Sequence, residues 1–139
     1  MKAVVQRVSK AAVAVDGETL AAIGPGLLVL LGVGQGDGDD TADRLAEKVR
    51  ALRIFADADG RMNEPLGERQ VLCVSQFTLY ADTARGNRPS FAGAAAAAQA
   101  EVLYEHFCEA LGAARGRFGA HMEVELTGDG PVTILLEVI

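Results

Sequence analysis

The 139-residue chain contains no tryptophan and only two tyrosines and five phenylalanines. Its core must therefore be assembled mainly from Val, Leu, Ile and Ala. Two cysteines, Cys73 and Cys108, lie far apart in apolar surroundings. Each reads as a small buried hydrophobe rather than half of a disulfide. His106 and His121 are the only histidines, and no HExxH, CxxC or close Cys/His cluster accompanies them. The common zinc motifs are thus missing, and neither metal nor cofactor is expected. No Gly-x-Ser-x-Gly elbow and no Walker A loop occur, which removes the usual serine hydrolase and P-loop nucleotidase.

Positive charge is also short. Thirteen Lys and Arg face nineteen Asp and Glu, giving a formal net charge of −6. Extended, nonspecific binding along a nucleic-acid backbone needs many cations on phosphates. A site that grips only one end of a nucleic acid does not. No apolar run approaches the roughly 18 residues of a membrane span; Leu27 to Val33 is short and holds Gly32. The opening residues Met1 to Arg7 lack the apolar h-region of a signal peptide, so a cytoplasmic location is expected, with no membrane partner.

What is present reads as one domain over residues 1–139. Lys2 to Val15 reads as a strand with an irregularity near Ser9. Asp16-Gly17 is a two-residue hairpin turn, because both central positions of a type I′ turn need φ > 0. Glu18 to Ile23 returns as its partner. After Gly24-Pro25-Gly26, the run Leu27 to Val33 is apolar without alternation, as in a strand buried on both faces. The loop Gly34 to Asp40 fits neither a dinucleotide fingerprint nor an EF-hand, and Asp39 or Asp40 is expected to cap the next helix. Leu45, Val49 and Leu52 define an amphipathic helix over Thr41 to Leu52.

Arg53 to Ala56 reads as a short strand, Arg61 to Gln70 as loop, and Val71 to Tyr80 as a strand that starts buried and ends polar. Ala81 to Phe91 is loop, and Gly93 to Ala114 is the longest helix. Met122 to Leu126 and Ile134 to Ile139 read as strands around Gly128-Asp129-Gly130-Pro131. Strands outnumber helices too strongly for a doubly wound sheet. The expected class is α+β: a curled, mostly antiparallel, barrel-like sheet with two helices packed on it.

Two polar clusters could carry chemistry. Ser75-Gln76 follows four apolar residues, where a buried strand surfaces and can offer donors to a developing oxyanion. A polar strand edge with a local hydrogen bond is the plainer reading. Thr133 fits a nucleophile or simply a β-branched strand residue. Gly130-Pro131, taken locally, is a trans turn opening the last strand, since X-Pro bonds are cis in only about 5–6% of folded cases.

Ser75-Gln76-Phe77-Thr78-Leu79 resembles the SQxxL motif of the D-aminoacyl-tRNA deacylases, and Gly130-Pro131-Val132-Thr133 resembles their GPxT motif. The segments Val5 to Val8, Gly26 to Val33 and Arg88 to Phe91 are similar to the same family, so the likeness runs from end to end. One departure is Gly128, where the family usually has Asn. The resemblance implies a homodimer that hydrolyses the ester between a D-amino acid and the 3′-terminal adenosine of tRNA, and that also clears misacylated glycyl-tRNA. It implies a cis Gly130-Pro131 inserted into the partner's site as a chiral filter, and donors at Ser75, Gln76 and Phe77 that position the ester. Attack by water would be assisted by the ribose 2′-OH, with Thr133 close by and Arg7 bracing the Gly-Pro segment. Arg85 and Arg88 become candidates for tRNA phosphates. Two other readings keep the scaffold: relaxed specificity toward L-alanyl-tRNA, and a non-catalytic RNA-binding module.

Overall fold

The computed structural model describes residues 1–139. Strand β1 spans Lys2–Val15. Along it Ala3 and Val5 are buried, then Val8, then Ala11, Val13 and Val15. Side chains alternate between faces with a period of two, and Val5 and Val8 point to opposite faces, each covered by its own apolar cluster. From Val8 to Ala11 the same cluster is kept although the parity changes, which takes an extra residue bulging out of the ladder. The register against the last strand shifts there, between Val8 and Lys10, at the irregularity expected near Ser9.

Asp16 (φ +51°) and Gly17 (φ +79°) make the hairpin turn into β2, Glu18–Ile23. Strand β3, Gly26–Gly32, pairs antiparallel with the first half of β1, while β2 pairs with the second half. All of β3 except Leu30 is buried, as its unbroken apolar run foretells. Gly26 is required by contact: a Cβ there would lie 1.8 Å from the Gln70 backbone oxygen.

Helix α1, Asp39–Ala51, buries Ala42, Leu45, Ala46 and Val49. Its N-cap is Gly38, whose N–H donates to Thr41 Oγ1 at 3.3 Å. Asp39 and Asp40 therefore occupy the first turn instead of capping, where their charge still suits the helix dipole. Strands β4, Phe55–Ala56, and β5, Met62–Glu64, form a small hairpin. The Asp57 carboxylate closes its turn by accepting from the Asp59 and Arg61 N–H groups. Arg53 and Ile54 precede that hairpin, and β5 falls within the stretch expected to be loop.

Strand β6, Gln70–Ser75, runs parallel to β3 and is followed by a 3₁₀ turn over Phe77–Tyr80. The strand expected through Tyr80 therefore ends five residues early. Helix α2, Ala97–Leu111, is shorter than the Gly93 to Ala114 expected. Its approach segment is tied down by Gln35 N–H to Gly93 O and by Ala95 N–H to Val33 O, both 3.0 Å. Gly112, at φ +69°, closes its C-terminus in the left-handed conformation. Strand β7, Ala114–Arg115, pairs parallel with β6. Strand β8, Glu123–Glu137, unites the two C-terminal strands into one element.

The main sheet has the order β2-β1-β3-β6-β7, with β8 on the opposite edge of β1. All three β1 pairings are antiparallel, and the two made by β6 are parallel. The sheet curls so that β2 approaches β6 and β7. Val8, Val13, Leu28 and Leu72 pack in the smaller core, and the larger one joins the sheet to α1 and α2. Cys73 and Cys108 are both buried free thiols, and Tyr104 Oη–H crosses from α2 to donate to Cys73 O at 2.8 Å. The α+β class and the curled sheet match the sequence expectation.

One helix–helix contact is titratable. His106 on α2 meets Asp43 of α1 at 2.7 Å, with Asp39 at 3.8 Å. The Asp43 hydrogen bond is the main reason that the imidazole is held above its ordinary 6.5. A raised folded value stabilises fully below the unfolded value and loses that contribution as pH rises through the folded one. The urea midpoint should therefore contain a component that declines above pH 6.5. His106→Gln should remove that component, as urea melts across neutral to mildly alkaline pH will show.

Candidate functional site

Ser75 and Gln76 sit where β6 leaves the sheet, because the next residues turn into a 3₁₀ helix. Gln76 N–H donates to Leu31 O at 2.7 Å, and its side-chain Nε2 donates to Thr78 Oγ1 at 2.6 Å. Phe77 and Thr78 head the turn, where backbone N–H groups have no acceptor within the helix. The turn is seated by glycines distant in sequence. A Cβ on Gly32 would stand 3.0 Å from Leu79 Cβ, and one on Gly34 would stand 2.6 Å from the Tyr80 ring. Gly32 and Gly34, unused as a dinucleotide loop, are the floor on which Leu79 and Tyr80 rest. Lys2 Nζ covers the Tyr80 ring 4.7 Å from its centre, and burial pushes the phenol up to about 12.

Ser75, Gln76 and Phe77 line a cavity of about 580 Å³, within the usual range for small-molecule sites. Its other walls come from the segment before α2, including Ala94 and Ala95, and from the link between β7 and β8, including Phe118 and Met122. The lining is mostly apolar, and His121 is its only ionisable side chain. Sequence reasoning considered His121 only as a metal ligand and passed over Phe118 and Met122. Their signal, apolar residues and a histidine between a helix and a strand, has meaning only once β6 is placed beside them.

The second motif lies elsewhere. Thr133 stands opposite Gln6 and Gly128 opposite Val8, so four β8 residues, Asp129 to Val132, face the single β1 residue Arg7. The surplus residues must leave the ladder, and Pro131 is exposed. The Gly130–Pro131 peptide is cis, and Gly130 has φ +132°. That conformation favours glycine. An added Cβ would also lie 3.0 Å from Val132 and 3.1 Å from the Arg7 guanidinium. Gly128 differs: a Cβ there meets nothing within 4 Å, so the backbone course does not require glycine.

Arg7 fastens the projection. Its Nε donates to Asp129 O at 3.0 Å and lies 3.3 Å from the Asp129 carboxylate, while another nitrogen donates to Ile54 O at 2.7 Å. Beyond the projection β8 resumes its alternation: Val132, Ile134 and Leu136 turn inward, and Thr133 and Leu135 outward. Thr133 Oγ1 has Gln6 Nε2 at 3.5 Å.

Within one chain the two motifs do not meet. Neither Gly130, Pro131 nor Thr133 lines the cavity that holds Ser75. In the sheet, Ser75 aligns through Leu31 and Ala3 with Leu136, whereas Gly128 aligns through Val8 and Gly26 with Gln70. Three strand spacings and about four residues of rise separate the clusters by roughly 20 Å along the sheet. Of the site residues expected, the fold groups Ser75, Gln76 and Phe77 in one place, and Arg7, Gly130, Pro131 and Thr133 in another.

A curled α+β sheet with an apolar cavity at the SQxxL strand end, and a projecting GPxT segment, defines the deacylase class of fold. The model of the D-Tyr-tRNA(Tyr) deacylase family matches residues 4–137. A D-aminoacyl-tRNA deacylase from Symbiobacterium thermophilum is 55% identical over 99% of this chain and 95% of its own. One from Cereibacter sphaeroides is 53% identical over 99% of both. Among solved structures, a c-Myc DNA unwinding element binding protein superposes with a TM-score of 0.94 at 42% identity, over 100% of this chain and 99% of that one. A probable eukaryotic D-amino acid tRNA deacylase shares the fold, with a TM-score of 0.83 at 15% identity over 99% and 98% of the two chains. The chain belongs to the D-Tyr-tRNA(Tyr) deacylase family.

Arg7→Ala removes every side-chain tie that this residue makes to Asp129 and Ile54. Charge-assisted hydrogen bonds contribute about 1.5–3 kcal/mol each when buried, and less here because Asp129 is exposed. Amide exchange at Asp129, Gly130 and Val132 should quicken at least tenfold while exchange in β3 stays constant. Arg7→Lys should not restore protection, because one ammonium cannot reproduce the guanidinium fork.

Proposed function

We propose that this chain hydrolyses the ester joining a D-amino acid to the 3′-terminal adenosine of tRNA, and the same ester of misacylated glycyl-tRNA. The carrying observation is the match over nearly the whole chain to relatives named D-aminoacyl-tRNA deacylase. The cavity at Ser75, Gln76 and Phe77 supports it. Water adds to the ester carbonyl, the carbonyl oxygen gathers charge, and the acyl–oxygen bond breaks to release the D-amino acid and free tRNA. Gln76 and the backbone donors at the head of the 3₁₀ turn stabilise the oxyanion, Ser75 and Phe77 hold the ester in position, and the ribose 2′-OH assists the water. Thr133 of a second chain, carried by the same motif as Gly130-Pro131, stands near the reacting group as a positioning residue.

The reaction takes place in the cytoplasm within a homodimer, each chain inserting Gly130-Pro131 into the other's cavity. Two features support the dimer. The projecting motif lies outside its own chain's cavity. It also shares β8 with the outward-facing Leu135, which is 76% exposed. In that arrangement the Gly130-Pro131 backbone stands beside the substrate Cα. An L side chain collides with it, a D side chain points away, and glycine passes. Such negative selection suits an enzyme that accepts many D side chains. A thousandfold preference needs roughly 4 kcal/mol, a reasonable size for a steric clash.

Matched D- and L-tyrosyl-tRNA test the chemistry. The D ester should be cleaved and the L ester spared; equal rates on both would sink the filter, and no cleavage of either would sink the activity.

Sedimentation tests the assembly. The native chain should sediment as a dimer. Leu135→Glu, which places a charge on that outer face without touching the core, should yield a folded monomer with at least a hundredfold lower deacylation. A native monomer with full activity would exclude the cross-chain arrangement.

A further inference from the structure

The chain is acidic, yet its unengaged arginines are concentrated around the cavity. Of ten arginines, Arg7, Arg44, Arg50, Arg53, Arg69 and Arg115 each bind a protein carbonyl or carboxylate. The four others are Arg61, Arg85, Arg88 and Arg117. Three of these lie on the two segments that frame the cavity. Arg85 and Arg88 occupy an exposed loop whose two ends are joined by reciprocal Asp82 and Ser90 backbone bonds of 2.7 and 2.9 Å. That loop leaves and rejoins the cavity wall, since Phe91 at its end packs edge-on against the wall residue Phe77 with ring centres 4.9 Å apart. Arg117 is exposed on the other framing segment, next to the wall residues Phe118 and Gly119.

Neither segment contains a carboxylate to neutralise these charges. Residues 83–100 carry Arg85 and Arg88, residues 110–122 carry Arg115 and Arg117, and neither stretch has Asp or Glu. The nearest acid on the loop side, Asp82, already accepts from the Ala84 N–H at 2.9 Å. An unpaired guanidinium on an acidic protein is well placed for a ligand anion, and the planar fork suits phosphate.

Resting on the deacylase reading, we propose that Arg85 and Arg88 on one lip and Arg117 on the other form a phosphate clamp. It receives the sugar–phosphate backbone of the last nucleotides of the tRNA acceptor strand as the terminal aminoacyl-adenosine enters the cavity. These are positioning residues: they bind phosphates and carry no sequence information. A clamp of few cations also explains how a chain of net charge −6 acts on a polyanion. Contact is restricted to one end, and the acidic remainder repels the rest.

The experiment compares D-tyrosyl-tRNA with the phosphate-free ester D-tyrosyl-adenosine, using native protein, the Arg85→Ala/Arg88→Ala double variant, and Arg117→Ala. Thermal melting confirms that each variant is folded. On tRNA, kcat/KM should fall about tenfold or more in each variant, through KM rather than kcat. The slope of log kcat/KM against log salt should flatten by about 0.7 per phosphate contact removed, the single-strand value. On the adenosine ester the loss should be several times smaller, and Arg→Lys replacements should recover part of the tRNA activity. An unchanged salt slope, or equal losses on both substrates, would overturn the clamp while leaving the deacylase reading intact. A native protein inactive on both esters would instead remove the reading on which the clamp rests.

Discussion

β1 is held on both edges, and most of the architecture follows from that. Its first half is gripped by β3 and β8 at once, so neither neighbour can shift to absorb a mismatch. With four β8 residues opposite one β1 residue, the three in excess must therefore leave the ladder, and they leave it around Gly130-Pro131. Arg7 is the one residue they oppose, and its guanidinium bridges from that point to both Asp129 and Ile54. The same constraint keeps Thr133 outward and Val132 and Ile134 inward, because the ladder on either side of the projection is intact.

A different device places the cavity motif. Gly32 and Gly34 remove side chains at the end of β3, and the 3₁₀ turn drops Leu79 and Tyr80 into the space. That ends β6 at Ser75 and leaves Ser75, Gln76 and Phe77 on the cavity wall. One motif thus depends on surplus backbone and the other on missing side chains. Neither supplies a reactive nucleophile, which accords with the proposed chemistry of positioning and electrostatics.

Local physics made much of this legible in the sequence. The Asp16-Gly17 turn, the doubly buried β3, the bulge near Ser9 and the amphipathic α1 all follow from residue type and period. What escaped was set by long-range contact. Val71 to Tyr80 has the composition of a continuous strand, and only the glycines about forty residues earlier convert its end into a 3₁₀ turn. The three alanines before α2, Ala94 to Ala96, have helical propensity equal to those within it, but backbone bonds with Val33 and Gln35 hold the approach extended. Asp39 and Asp40 are good cap residues, yet Gly38 and Thr41 take that role one step earlier. His121 carried no motif, and its position became meaningful only when the fold brought it to the cavity that Ser75 also lines.

The separation of the two motifs constrains mechanism more than either motif does alone. With roughly 20 Å of sheet between them, one chain keeps its cavity apart from its projecting Gly130-Pro131 segment, the proposed chiral selector. Rigid backbone is the better selector, because a side chain could rotate away from an L substrate whereas a peptide anchored at Arg7 cannot. In the proposed dimer a second chain supplies that backbone, which makes selectivity conditional on assembly. A lone chain would then retain the wall that binds the ester and lose the group that rejects the wrong one. On that proposal association is part of the specificity itself, and the outward face of β8 is under the same functional constraint as the cavity.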